Sequence, residues 1–447
     1  MKKTASILII IASLLSLFAC AGGKTPEGES SVLRFIGKSG EANFIVITGV
    51  KASDVTKNVA QVVASELRKS FGGIFRVSTS AAIKDDKNKY EILIGNTGRE
   101  ESLSLSEGIG ENEYRVKVYG KKIVIVGGND IAISRGVGAF LSAIDYEKGS
   151  VPKTLFLTGA ASTENALLVG MTNGTSKSIE VYDISGGRMD ATSLVWSAKQ
   201  SHGAGGFKLR NHPTYGEVVV TTSGTHAEMI SYETKEKLWS TDNTPENSHS
   251  IELLPNGIIA VGGTVGHDIH FYNLNGDDPT KILFEMPHHD AHGLLWDPKN
   301  EVLWGAGSNM LFAYRVTLNE DGSVNVIKDE ELSVTTPDGN LHDLQPYFGN
   351  KDWLLVSTGN MVLVYDKVNK TFSDAFSGVS KAVRKDVKGV GRFLNGDMIY
   401  IYPDGLLEKW NSTILNYVQA GEKRISVQIN SNMGRFYKCR VWYSDYQ

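Results

Sequence analysis

The chain opens on Lys2 and Lys3 and then an unbroken apolar run, residues 5–18 (ASILIIIASLLSLF). A basic start before so short a run reads as a secretory signal segment, not a bilayer-spanning helix. Residues 21–31 (AGGKTPEGESS) are rich in Gly, Ser, Pro and Glu and read as a flexible tether. Folded patterns follow. Residues 44–47 (FIVI) predict a buried strand. Val55, Val59, Val62, Val63 and Leu67 recur at helical spacing over 54–70, with Ser53 or Asp54 to cap the start and Gly72-Gly73 to end it. Residues 90–95 predict a second strand, and 113–119 and 122–126 a hairpin about Gly120-Lys121. Residues 130–145 predict a second helix, whose Gly136, Gly138 and Ala139 allow close packing on a sheet. This order fits an α+β layer over residues 32–158.

Beyond residue 160 the pattern becomes a repeat. An aromatic recurs after apolar residues at Tyr182, Tyr232, Tyr272, Tyr314, Tyr365 and Trp410, at spacings of 50, 40, 42, 51 and 45 residues. A period near 45 suits a four-stranded propeller blade, and the aromatics read as its packing core. Each unit begins with a strand, such as Ile251–Leu254 or Gly293–Trp296, and then a turn, such as Pro255-Asn256-Gly257 or Leu394-Asn395-Gly396. Asn-Gly between apolar runs is a strong hairpin signal. The first unit, from Ala166, lacks an evident first strand, and residues 435–443 (RFYKCRVWY) have strand character without a blade. That tail is expected to supply the missing strand and close the ring; a degenerate seventh blade over 424–443 is the alternative. The fold class is therefore multidomain: a signal peptide (1–19), a tether (20–31), an α+β accessory domain (32–158) and an all-β propeller of six or seven blades (160–447).

Composition narrows the function classes. The net charge is −4 and becomes −6 once Lys2 and Lys3 are removed, which disfavours a nucleic-acid partner. The two cysteines are Cys20 and Cys439. Leu17-Phe18-Ala19-Cys20 resembles the lipobox of bacterial lipoproteins. The resemblance implies lipidation of Cys20, with anchoring to the cell envelope at the outer membrane. Cys439 then has no disulfide partner and reads as a small buried apolar residue.

Aligning the units puts His249, His292, His342 and Lys388 in register, each 22 or 23 residues before its aromatic, with Gly205 and the preceding His202 near the equivalent place in the second unit. The innermost strand of a blade begins at the mouth of the central channel, so these residues should converge there. Imidazoles can hold a metal or move a proton near neutral pH, and a lysine can neutralise an anion. We expect His249, His292 and His342 as ligands of a divalent metal (Mn, Zn or Ca). His289, Tyr347 and Lys388 are the candidate proton-transfer residues, and His202, Arg384 and Arg392 the candidate substrate-binding residues. His226, His267, His288 and Asp338 lie on loops at the same end, and Asp290 and Asp343 are placed to orient the imidazoles.

Two further resemblances bear on function. The run from Phe44 through the 54–70 helix and Gly72-Gly73, then Ile92–Gly95, Glu113-Tyr114, the 122–128 strand and Gly136–Leu141, is similar to a non-catalytic N-terminal domain of α-glucuronidases and β-hexosaminidases. It implies a carbohydrate context. The propeller resembles an uncharacterised family of exported bacterial proteins and, in architecture, propeller polysaccharide lyases. The latter implies histidines that neutralise a uronate carboxylate while a His or Tyr removes the C5 proton. A lyase on uronate-containing glycan is thus the leading expectation. A non-catalytic glycan-binding lipoprotein and a protein-interaction scaffold are the alternatives.

Overall fold

The computed structural model describes residues 31–160, 166–190, 192–203, 205–377, 385–405, 410–422, 427–430 and 434–447. Cys20 and Arg384 lie outside these residues.

In the first part of the chain, six strands form one sheet in the order Val77–Thr79, Ile45–Thr48, Glu91–Ile94, Lys122–Gly127, Glu113–Tyr119 and Phe156–Ala160. The first four are mutually parallel, and Glu113–Tyr119 is antiparallel to both of its neighbours. Helix α1 (Asp54–Phe71) is capped by Ser53, whose side chain accepts from Thr56 N, and ends at Gly72 with φ 73°. Val59, Val63 and Leu67 of its apolar face are fully buried against Ile92 and Ile94. Helix α2 (Glu100–Ser106) has no counterpart in the sequence reading. Its Ser/Leu alternation gives little helical periodicity. Helix α3 (Asp130–Ser142) leans on the outer strand Leu194–Lys199 of the next unit, where Ser134 donates to Leu194 O at 3.1 Å and Arg135 pairs with Asp183.

Six four-stranded antiparallel sheets follow, arranged as six propeller blades. Their inner strands are Phe436–Val441 in blade one, then Gly206–His212, Ser248–Leu253, Gly293–Asp297, Asp343–Pro346 and Gly389–Arg392 in blades two to six. Blade one takes its inner strand from the chain's end: Phe436–Val441 pairs with Leu168–Asn173. The expected closure is therefore present, and Val427–Asn430 is the fourth strand of blade six, so the described residues form six blades and no seventh. Cys439 is fully buried in the closing strand.

The blade aromatics Tyr182, Tyr272, Tyr314 and Tyr365 are buried as expected, but Trp410 is 55% exposed. The third strand of blade six is Ile414–Val418, so its aromatic is Tyr417, and Trp410 belongs to the preceding loop.

Two buried carboxylates each tie together three of the six inner strands. Glu252 of blade three accepts from Lys208 Nζ (2.9 Å) and Arg210 Nε (2.7 Å) of blade two and from Trp296 N (3.1 Å) of blade four. Asp343 of blade five accepts both forks of Arg440 of blade one (2.7 and 2.8 Å) and Val390 N of blade six (3.1 Å). Charge-assisted bonds of this geometry are about twice as strong as neutral ones. The inner strands also approach closely. A Cβ on Gly206 would lie 2.3 Å from His249 O, so only glycine fits there.

Candidate functional site

All six inner strands begin at one end of the channel, and that end carries the imidazoles. The rings of His249 and His292 are 5.0 Å apart and those of His292 and His342 5.3 Å. Lys388 Nζ donates to His342 Nε2 at 3.0 Å. Blade one adds Tyr437, whose ring is 5.5 Å from His249. Blade two presents no side chain at this level because Gly205 and Gly206 stand there. The gap opens a cavity of about 790 Å³, lined by His249, His292, Lys388, Trp410, Arg435 and Tyr437 among others.

The electrostatics favour an anion. Below the mouth lie Lys208, Arg210, Lys438 and Arg440, all buried, paired with Glu252 and Asp343. Burial lowers Lys208 and Lys438 to about 8, with nearby carboxylates opposing the shift. Four cationic side chains on two carboxylates leave an excess of positive charge under the cavity floor. Burial and the neighbouring cations hold His249 at about 3 and His342 at about 2, so both rings are neutral at physiological pH. Burial lowers Lys388, partly offset by Asp386 and Asp290. His249 Nδ1 is buried with no hydrogen-bond partner among the described residues, an acceptor or donor left to a ligand.

The other expected residues separate from this group. Tyr347 and Arg392 stand at the opposite end of the channel, where Arg392 stacks on the Tyr347 ring at 4.4 Å and Tyr347 packs on Trp353. Tyr347 lies five residues past His342 along an extended strand, about 16 Å away. Neither can share a ligand with the column. His289 is on the correct end but faces the rim: it bonds Ser308 Oγ at 2.8 Å and stacks on His267 at 4.0 Å. His202 packs on His226 with ring centroids 4.3 Å apart. Asp290 does orient an imidazole: His292 Nδ1 is hydrogen-bonded to its carbonyl O at 3.3 Å and lies 3.2 Å from its Oδ1. Asp343 does not, because its carboxylate is taken by Arg440. His288 is structural, bonding Tyr314 OH at 2.6 Å. Asp338 is spent on Thr358 and Asn360.

Among the described residues, groups of three His, Cys, Asp or Glu donors within 4.8 Å of one another occur at His202/His226/Asp242 and Asp268/His270/Glu285. The column is not such a group: its rings stand side by side around the channel, and their nitrogens do not meet at one point. The donors missed by sequence reasoning at the mouth are Tyr437, Arg435 and Trp410. They come from the closing strand and a loop, so no blade register points to them.

The buried neutral rings make stability depend on pH. The unfolded chain protonates these histidines below about pH 6.5. The folded chain resists down to about 3 at His249, 4 at His288 and 2 at His342. Between those limits the unfolded state holds more protons, so stability falls as pH falls, by about 1.4 kcal/mol per pH unit for each ring. His249 faces His292, Tyr437 and Lys438. His249→Gln should remove one ring's share of that slope, seen in urea midpoints between pH 7 and 4.5. An unchanged slope would show that His249 is not held neutral.

No protein-family model matches the chain, and the comparison with curated proteins finds no match. Among solved structures, a chain of a nidogen/laminin complex is similar at a TM-score of 0.45 and 11% identity, covering 62% of this chain and 99% of that one. A protein of unknown function from Bacteroides caccae is similar at 0.41 and 13%, covering 62% and 98%. At these TM-scores neither bears on the assignment of the fold, which rests on the strand pairing: the chain is mostly β and carries a six-bladed propeller.

Proposed function

We propose that this is an exported lipoprotein, anchored through Cys20 to the outer membrane, that binds a uronate-containing glycan at the propeller mouth. Residues 32–158 would serve as its carbohydrate-associated accessory domain. The observation that carries the reading is the cavity itself: His249, His292 and Lys388 converge over a buried cation excess, beside an exposed Trp410. An excess of positive charge in a low-dielectric cleft concentrates anions. An exposed indole gives a sugar ring an apolar face to stack on.

The same arrangement suits eliminative cleavage. Lys388 would neutralise the carboxylate and so stabilise the charge that develops when the neighbouring C5 proton leaves. His292 is the better base than His289 or Tyr347. An Nδ1–H given to Asp290 leaves Nε2 with its lone pair, the orientation a general base needs. The leaving glycosidic oxygen departs from C4 as the C4–C5 double bond forms, taking a proton from the site or solvent.

Calorimetric titration with oligogalacturonate and with a neutral oligosaccharide of equal length tests this. The acidic ligand should bind and the neutral one only weakly. Lys388→Met should weaken acidic-ligand binding at least about tenfold, the loss of one charge-assisted contact. Added salt should weaken the wild type. If elimination occurs, the unsaturated product absorbs in the ultraviolet, and His292→Ala should abolish that signal while retaining binding. Equal affinity for both sugars, indifferent to Lys388→Met, would overturn the reading.

A further inference from the structure

We propose that the rim of blade two is a divalent transition-metal site, of the kind that takes zinc, formed by His202, His226 and Asp242. It is separate from the imidazole column and stands whether or not the mouth binds glycan. His202 lies in the loop leading into blade two, His226 opens that blade's third strand (His226–Ser231), and Asp242 follows its fourth (Lys237–Thr241). Their donor atoms lie within 4.8 Å of one another, with His226 Nδ1 2.7 Å from Asp242 Oδ1.

What raises this group above a chance cluster is the carboxylate behind it. Glu228 is 1% exposed, and its Oε2 is 3.3 Å from His226 Nε2. Glu228 also accepts from Ser201 N at 2.9 Å and Ser201 Oγ at 2.7 Å, which fixes the loop that carries His202. One buried carboxylate thus positions both imidazoles. With Nε2–H given to Glu228, His226 turns its Nδ1 lone pair toward Asp242, the outer-shell arrangement that metal-bound histidines use. The second donor group lacks this support. There His270 Nε2 meets Asp268 at 3.1 Å and its Nδ1 faces only the Tyr272 hydroxyl at 3.4 Å.

Two imidazoles and one carboxylate are donors for zinc, whereas calcium takes oxygens alone. His202 and Asp242 are exposed, which gives an ion a path in and leaves its fourth position to water. On binding, an ion would take the His226 Nδ1 lone pair and an Asp242 oxygen in place of their direct 2.7 Å contact. Ser223 and Gly224, which line the mouth cavity, lead directly into His226, so the site borders the mouth.

Equilibrium dialysis of the purified protein against buffered Zn²⁺, read by elemental analysis, tests this. One zinc per chain is expected, lost in His202→Ala and in Asp242→Asn. Both side chains are exposed, so these variants should keep the wild-type urea midpoint measured without metal. Glu228→Gln should weaken Zn²⁺ binding by about 10–100-fold. A His249→Ala/His292→Ala double variant should keep its zinc. Co²⁺ in place of Zn²⁺ should give the visible bands of a four-coordinate site in the wild type and in the column variant, and not in His202→Ala or Asp242→Asn. No bound zinc, or equal stoichiometry in His202→Ala and Asp242→Asn, would overturn the proposal. So would loss of zinc only on changing the column.

Discussion

A chain lacking residues 434–447 should fail to unfold as one cooperative unit and should aggregate on expression. The deletion removes the inner strand of blade one and leaves Leu168–Asn173 as an open edge facing the channel. Phe436, Cys439 and Val441 leave a core they share with Val169, Met171, Tyr182 and Phe393, and Trp442 leaves the one around Phe207. Each large apolar side chain is worth about 1.5–3 kcal/mol of burial. Their sum alone approaches the ~5–15 kcal/mol net stability of a folded protein. Arg440 goes too, so Asp343 is left buried without its fork. Moving residues 434–443 to stand between residues 165 and 166 should restore folding. The end of that strand already meets the start of Leu168–Asn173, with Trp442 N donating to Leu168 O at 3.0 Å. Urea unfolding followed by tryptophan fluorescence decides the matter. A truncated chain with the wild-type midpoint would show that the ring does not need its closing strand.

Asp343→Asn is expected to destabilise the propeller by about 3–5 kcal/mol, the usual cost of removing one partner from a buried ion pair. The substitution keeps the size of the side chain, so packing loss contributes little. The cost falls on Arg440, which cannot give up its proton and would be left charged in the interior. Lys438, also 3.6 Å from Asp343, has an escape because burial has already lowered it to about 8. Asp343→Asn combined with Arg440→Met should therefore recover much of the loss, whereas Asp343→Asn with Lys438→Met should not. Denaturant midpoints of the three variants and the wild type test the point. A loss below about 1 kcal/mol in the single variant would mean water reaches the Arg440 fork and solvates it as an exposed pair.

These expectations rest on features of unequal visibility in the sequence. The blades are legible because each third strand carries an aromatic at a near-constant interval and several hairpins announce themselves by Asn-Gly. Blade six misleads: Trp410, ahead of the third strand, mimics the repeat, while Tyr417 stands within that strand. The imidazole column is legible because inner strands share a register. The same register places Tyr347 and Arg392 at the far end, once five residues of extended strand are converted to length. The Glu252 and Asp343 staples are not legible. On a strand, Lys208, Arg210 and Glu252 alternate with apolar residues as a solvated face would, and only ring closure turns that face inward. Likewise His202, His226 and Asp242 have no motif spacing, because two loops and a strand start of one blade bring them together. The first part of the chain shows its helices where capping and apolar spacing agree, as at Ser53 and Val59, and hides α2, whose single turn pair has neither.

The most direct test is a crystal structure of the protein with a bound uronate oligosaccharide. The account predicts a carboxylate within hydrogen-bond reach of Lys388 Nζ and the His249 or His292 ring, with a sugar face on Trp410. An oligosaccharide seated on the Tyr347–Arg392 end, or elsewhere with the mouth left to solvent, would contradict it.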